Sequence, residues 1–325
     1  MKRRMVLPGG NGYLGIRVAA WFAARDWDVT VLSRRPDLRN GPGSLTAWDG
    51  HTLGPWAAAV DGADAVVNLA GRTVNCRYTA ANRREIYASR LDSTRVVGQA
   101  IAAAAAPPPV WLNAASATIY RHAEDRPMDE RSGELGSDFS SDVCKRWEAE
   151  LFAAATPRTR RVAMRAAMVM GPGSGGVYEA FRRIARLGLG GTLGRGTQYV
   201  SWVHLEDFCR AVEFLIGPPP RAGTTAPTAA PRPPVLDGAV NVASPNPLAN
   251  RDFMRAVRNA VGARLGLPAT RWMLEVGAAV LRTETELLLR SRRVVPTRLA
   301  EAGFTFAHPD WPAAAADIER QWGAK

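Results

Sequence analysis

Residues 8 to 15, Pro8-Gly9-Gly10-Asn11-Gly12-Tyr13-Leu14-Gly15, are of the types and in the spacing that hold a pair of phosphates. They follow a short apolar run, Arg4–Leu7, and open a helical one, so the chain turns from strand to helix on glycine. A pyrophosphate needs a backbone that can approach it closely and free N–H groups at a helix N-terminus aimed at it. In this pattern Gly9 makes the tight turn, Gly12 removes a side chain where the phosphates sit, and Gly15 lets helix and strand pack closely. The expected ligand is a dinucleotide, held by Gly9, Asn11, Gly12, Tyr13, Leu14 and Gly15.

The end of the next strand chooses between the two nicotinamide dinucleotides. An acidic residue about twenty positions beyond the glycines would take the ribose 2′-hydroxyl of NAD. The chain has Ser33-Arg34-Arg35 there instead. A hydroxyl and two guanidinium groups suit a 2′-phosphate, because arginine makes charge-assisted bonds to phosphate oxygens. NADP(H) is therefore the expected cofactor. Further on, Asp64-Ala-Val-Val-Asn68-Leu-Ala-Gly71 reads as a strand running into a small-residue loop, where Leu69, Ala70 and Gly71 leave room for ribose and pyrophosphate. Asp49 is open between accepting from an adenine amine and being an ordinary surface aspartate.

These residues need a scaffold that brings strand ends together. Short apolar runs at Arg4–Leu7, Asp28–Leu32, Ala65–Leu69, Val110–Ala114 and Arg161–Met164 alternate with alanine-rich helical segments Tyr13–Ala24, Ala80–Ala105 and Ser141–Ala154. That alternation predicts an α/β fold, a Rossmann-type doubly wound parallel sheet, with a smaller, mostly helical C-terminal substrate region. The expected division is a dinucleotide-binding domain over 1–217, a Pro/Ala-rich flexible loop over 218–236 and a substrate-side region over 237–325. A strand-like segment, Ala239–Val242, follows that loop directly, and helical patterning runs from Asn250 to Trp322.

Bulk properties exclude several classes. The 325 residues are 46% hydrophobic and 22% charged, a balance that suits a globular chain with a sizeable core. The apolar run Met273 to Leu281 is short and carries Glu275, so no membrane span is expected. The apolar stretch after the basic start ends at once in Pro8, Gly9 and Gly10, which argues against a signal peptide. Cys76, Cys144 and Cys209 are far apart and odd in number, which suits free thiols in a reducing cytoplasm. The four histidines show no metal-binding spacing, so no metal site is expected. The net charge of +12 comes from arginines spread along the whole chain, without an RNA-recognition motif, so no specific nucleic acid partner is expected.

Several segments together resemble the extended short-chain dehydrogenase/reductases: GGNGYLG at 9–15, NLAG at 68–71, SATIY at 116–120, GPG at 171–173 and GRGTQYVSWVHLEDF at 194–208. The resemblance is closer to an atypical branch, the NAD(P)-dependent epimerase/dehydratase-like "epimerase family" proteins. The branch features are Ser33-Arg-Arg-Pro36, Asp138 to Glu148, Ser201-Trp-Val-His-Leu-Glu-Asp207 and Arg293 to Pro309. It covers nearly the whole chain apart from the Pro-rich stretch.

The resemblance implies hydride chemistry on a small-molecule substrate, with Ser116 at the position of the active-site serine. It also implies a YxxxK pair, in which a tyrosine moves the proton and a lysine lowers the tyrosine's pKa and holds the nicotinamide ribose. That pair is missing. Aligning the helix on Trp147-Glu148 puts Ser140 and Cys144 at the two positions, and a one-residue slide gives Ser141 and Lys145. Tyr120 takes the position of a second, pocket-lining tyrosine and is the remaining candidate proton donor, a packing or substrate-wall role being the alternative. Cys144 is expected to be a buried, inert thiol. Val200 stands where sugar-nucleotide epimerases carry an arginine, which implies a smaller or more apolar ligand walled by Trp202, Tyr120 and Met168. The function expected is an NADP(H)-dependent oxidoreductase or epimerase. The alternative is a non-catalytic NADP(H)-binding sensor or scaffold. The two long helices correspond to those that pair in many dimeric relatives, which leaves a homodimer open as the assembly.

Overall fold

Strands whose side chains are apolar on both faces belong in the middle of a parallel sheet, and the first strand reads Met5-Val6-Leu7 with every one of these side chains buried. The structure, a computed structural model, describes residues 2–37, 41–218, 235–269 and 290–323. The first half contains β1 (Arg4–Pro8), α1 (Tyr13–Ala23), β2 (Asp28–Ser33), β3 (Ser44–Ala47), β4 (Ala65–Asn68), α2 (Ala80–Ala103), β5 (Val110–Ser116) and α3 (Phe139–Ala153). There follow β6 (Arg160–Ala166), β7 (Met168–Met170), α4 (Val177–Arg186), β8 (Tyr199–Val200), β9 (Trp202–His204) and α5 (Leu205–Ile216). The chain closes with β10 (Gly238–Val242), β11 (Leu248–Ala249), α6 (Asn250–Ala260), α7 (Thr297–Glu301) and α8 (Trp311–Gly323).

Seven strands form one parallel sheet in the order β10-β6-β5-β4-β1-β2-β3. Strand order reverses between β1 and β4, and the carboxyl ends on either side of that switch form the crevice where ligands bind in such sheets. Pleat alternation divides the core. Met5 and Leu7 face α1 and α5 through Val18, Phe22, Phe208 and Val212, whereas Val6 and Val66 face α2 through Val96, Val97 and Ile101. Helices α2 and α3 start on side-chain caps: Thr79 accepts from the Asn82 N–H at 3.2 Å, and Asp138 accepts from the Ser141 N–H at 2.9 Å.

β10 pairs with β6 from Gly238↔Val162 to Val242↔Ala166, so residues beyond 217 supply the edge strand of the main sheet. The sheet is not contained in 1–217. Most of the Pro-rich stretch, and the apolar run Met273 to Leu281, lie outside the described residues. Among the described residues, no helix is long and apolar enough to cross a membrane.

The C-terminal elements form a separate apolar cluster with α4, in which Trp311 stacks on Phe253 at 4.4 Å and lies 4.8 Å from Trp202. Polar clamps tie this region back. Ser201 Oγ donates to the Arg292 carbonyl at 2.6 Å and accepts from the Val294 N–H at 2.8 Å. Asp207, fully buried, accepts from the N–H groups of Ala307 and His308, each at 2.8 Å.

His204 caps α5 by accepting from the Glu206 N–H at its Nδ1. Its ring lies 3.8 Å from that of His308, and its Nε2 stands 3.4 Å from Asp317. Two histidines without any sequence spacing thus meet in space beside a carboxylate. Because Nδ1 accepts a hydrogen bond, a neutral ring carries its proton on Nε2, which is buried and has no hydrogen-bond partner among the described residues. Burial, reinforced by the neighbouring His308, pushes the His204 pKa down to about 4, against the opposing pull of Asp317 and Glu206.

The folded state therefore resists taking up a proton that the unfolded chain accepts near pH 6.5. Stability from this source is complete above pH 6.5 and is lost as pH falls toward 4, by roughly 3 kcal/mol at most. Asparagine at 204 keeps an acceptor for the cap and removes the titration. Urea unfolding at pH 7 and pH 4.5 should show a smaller acid loss in His204→Asn than in the wild type. Equal losses in the two proteins would contradict the assignment.

Candidate functional site

The glycine loop sits at the carboxyl end of β1, one side of the switch point. Gly9 has φ +75°, and a Cβ there would stand 2.7 Å from the Ala70 backbone, so the loop after β1 and the loop after β4 touch only because the side chain is absent. Gly15 is excluded from bearing a side chain by the backbone of Gly10, 2.4 Å from its Cβ position. Its close contact is therefore with the loop itself, not with the strand as the sequence pattern suggested. Gly12 caps α1, and the nearest atom to its Cβ position is 3.6 Å away. The space in front of the helix N-terminus is open, and the first N–H groups of α1 point into it.

A cleft of about 700 Å³ runs from this loop along the ends of β2 and β4. Gly9, Asn11 and Gly12 form its floor, Arg34 and Arg35 its rim, and Trp48, Asp49 and His51 one end, while Ala70, Arg72, Ser89 and Ser93 close the other side. That volume suits a nucleotide-sized ligand. Leu69, Ala70 and Gly71 line it as the sequence predicts. Ser33 is buried and holds the bend after β2: its Oγ accepts from the Arg35 N–H at 3.1 Å and donates to the Arg35 carbonyl at 3.2 Å, and Asn11 reaches it at 3.4 Å. Ser33 thereby sets the two arginines rather than offering its own hydroxyl. Both arginines are exposed, and neither forms an ion pair among the described residues.

Two predicted contacts turn out differently. Tyr13 points away from the cleft: its hydroxyl donates to the Pro172 carbonyl at 3.1 Å and its ring covers Gly176. Leu14 packs against the main core. Each offers the cleft its place in the first turn of α1, not its side chain. Asp49 lines the cleft, but its carboxylate caps the next turn, accepting from the N–H groups of His51 and Thr52 and from the Thr52 hydroxyl. Those bonds hold the carboxyl well below the usual carboxylate range.

Beyond β4, the buried Asn68 reaches Asn113 on β5 at 2.8 Å and accepts from the Ala70 N–H at 3.0 Å, fixing the loop that meets Gly9. Ser116 ends β5 partly exposed. Its Oγ accepts from the N–H of Thr118 at 3.2 Å and from the Thr118 hydroxyl at 3.0 Å, and Thr118 Oγ1 lies 3.3 Å from Cys144 Sγ. Cys144 thus meets Thr118, the partner of Ser116, from α3. Burial pushes the Cys144 thiol up to about 11, outweighing the bond from Thr118 and the charges of Arg90 and Arg292. Ser141 is buried, with its hydroxyl donating to the Thr118 carbonyl at 3.1 Å and to Asp138 at 3.0 Å. Neither serine register supplies an acid resembling a phenol.

Tyr120 is the main correction to the catalytic expectation. It is fully buried, its hydroxyl donates to Asn241 Oδ1 at 3.0 Å and accepts from Arg165 Nη1 at 2.8 Å, and Arg165 is itself paired with both oxygens of Glu148 at 2.7 and 2.8 Å. Burial raises its pKa above the usual phenol value. Tyr120 is a core residue spent on a polar network, so it neither donates a proton into the cleft nor walls a pocket. Trp202 and Val200 are likewise buried in the C-terminal cluster, against which Met168 packs. Among the described residues, Trp202, Tyr120 and Met168 therefore do not come together as an apolar substrate pocket.

The model of the NAD dependent epimerase/dehydratase family matches residues 5–224. This chain belongs to that family. A second model, a domain of unknown function (DUF1731), matches residues 269–318. The chain is 32% identical over 320 residues to the epimerase family protein SDR39U1 of Bos taurus, covering 97% of this chain and 99% of the relative. Its fold superposes on a crystal structure of human epimerase family protein SDR39U1 (isoform2) with NADPH, with a TM-score of 0.82, 28% identity and coverage of 98% and 99% of the two chains. A UDP-N-acetylglucosamine 4-epimerase from Bacillus cereus shares the fold at a TM-score of 0.75 and 15% identity, covering 100% of this chain and 98% of the epimerase.

Proposed function

We propose that this protein is an NADP(H)-dependent oxidoreductase of the extended short-chain dehydrogenase type, acting on a small molecule. The observation that carries the reading is the pair Arg34 and Arg35, which form no ion pair among the described residues and stand on the rim of a cleft whose floor is the open N-terminus of α1. A 2′-phosphate and a pyrophosphate are the anions that fit those two places. The similar human protein crystallised with NADPH supports the same cofactor. Bound there, the dinucleotide supplies the hydride, and the protein's part is to orient it and exclude water. Ser116 and Thr118, partly exposed at the end of β5, are the hydroxyls placed to hold a substrate carbonyl. A reducing cytoplasm belongs to the same reading, and the three free thiols support it.

A second reading, a non-catalytic NADP(H) sensor or scaffold, is favoured by the absence of a phenol at the site among the described residues: that of Tyr120 is sealed away, and α3 presents the Cys144 thiol to Thr118. Following NADPH absorbance across a panel of aldehydes, ketones and sugar nucleotides separates the two. The oxidoreductase reading expects steady oxidation with at least one substrate, reduced about tenfold or more in Ser116→Ala. Stoichiometric NADPH binding with no turnover on any substrate would install the sensor reading.

A further inference from the structure

The buried stripe of α2 contains Ile86, Val97 and Ile101 and, one turn after Ile86, a cation. Arg90 is half-buried between α2 and α3, its guanidinium carbon 5.1 Å over the Trp147 ring and 3.5 Å from the position a Gly71 Cβ would take. Nη1 donates to the Ile86 carbonyl at 3.1 Å. Among the described residues, no carboxylate lies within ion-pair distance, and Nε and Nη2 have no hydrogen-bond partner. The ionisable groups nearest it are Cys144, Tyr78 and Cys76, and burial lowers its affinity for its proton. A guanidinium set between two helices without a counter-anion is costly to the fold, and that cost falls when an acceptor arrives with a ligand.

Its position says which part of a ligand it meets. Arg34 and Arg35 stand at the end of β2, on one side of β1. Gly71 follows β4, on the other side of β1, and α3 with Trp147 and Cys144 packs over β5. A dinucleotide crossing the sheet at the switch point lays its adenosine half toward β2 and its other half over β4 and β5. Arg90 is beside that second half, near the chain of contacts from Ser116 through Thr118 to Cys144.

Resting on the NADP(H) reading above, we propose that Arg90 grips the nicotinamide mononucleotide half of the cofactor, its free N–H groups donating to ribose or phosphate oxygens. It supplies there the positive charge that α3, with an uncharged thiol at Cys144, does not.

Fluorescence titrations with NADPH and with 2′,5′-ADP, which has only the adenosine half, test this on the wild type, Arg90→Met and Arg90→Lys. The expected result is a loss of about tenfold or more in NADPH affinity for Arg90→Met, with partial recovery in Arg90→Lys. Affinity for 2′,5′-ADP should stay within about twofold of wild type in both variants, since no charge near the adenosine is removed. Should Arg90→Met fail to fold by circular dichroism, Arg90→Gln serves the same comparison. Unchanged NADPH affinity in the uncharged variant, or equal losses for both ligands, would overturn the assignment. A wild type that binds neither ligand would instead remove the cofactor reading on which it rests.

Discussion

Replacing Arg34 and Arg35 together by alanine is expected to weaken NADPH binding by at least about 100-fold, while NADH binding, weak from the start, stays within about threefold. Each guanidinium at the rim of the cleft would lose a charge-assisted contact worth about 1.5–3 kcal/mol to a 2′-phosphate oxygen. Among the described residues neither arginine is tied to a carboxylate, so the fold should not change. Isothermal titration of both nucleotides, with unfolding midpoints as the control, reads the result. A double variant that keeps its preference for NADPH would place the 2′-phosphate elsewhere on the protein. The loss should also shrink as salt rises, because exposed charge pairs are screened.

The largest expected effect on stability lies in the network around Tyr120. Arg165→Met removes the partner that holds both oxygens of Glu148 in a site where each side chain is only 10% exposed. Leaving that carboxylate without its cation should cost roughly 3–5 kcal/mol, read as a lower urea midpoint. Tyr120→Phe removes only a hydroxyl shared between Arg165 and Asn241, and should cost about 1–2 kcal/mol. Because the phenol lies outside the cleft, Tyr120→Phe should leave NADPH binding and any turnover as in the wild type. A Tyr120→Phe variant that is stable but inactive would show that the hydroxyl reaches substrate after all.

The parts of this molecule that were legible in the sequence are those fixed by neighbours along the chain. The strand, glycine turn and helix from Arg4 to Ala23 depend on residues within a few positions of one another, and they lie as the pattern predicts. The bend that aims Arg34 and Arg35 is likewise local, closed by Ser33 on Arg35. What a single sequence hides is burial decided by distant partners. Tyr120 reads as a site residue because its spacing from Ser116 is right, yet its hydroxyl is claimed by Arg165 and Asn241, which come from β6 and β10.

The same holds for the segment Ser201 to Asp207. The sequence offered it only as a family match, and in the structure Ser201, His204 and Asp207 fasten α5 and the C-terminal region to each other. Arg90 was overlooked, although a signal existed: an arginine one turn from Ile86 breaks the apolar stripe of an otherwise amphipathic helix. The role of β10 in the main sheet was half visible, as a strand directly after the Pro-rich stretch, but its partner β6 could not be read from one chain.

The central claim is that the glycine loop and the two arginines seat NADP(H). Its most direct test is a parallel titration of wild-type protein with NADPH and NADH, followed by protein-to-nicotinamide energy transfer. The structure predicts saturable one-to-one binding of NADPH at least about tenfold tighter than that of NADH, the difference being the contacts to the 2′-phosphate. Equal affinity for the two nucleotides, or no binding of either to folded protein, would contradict it.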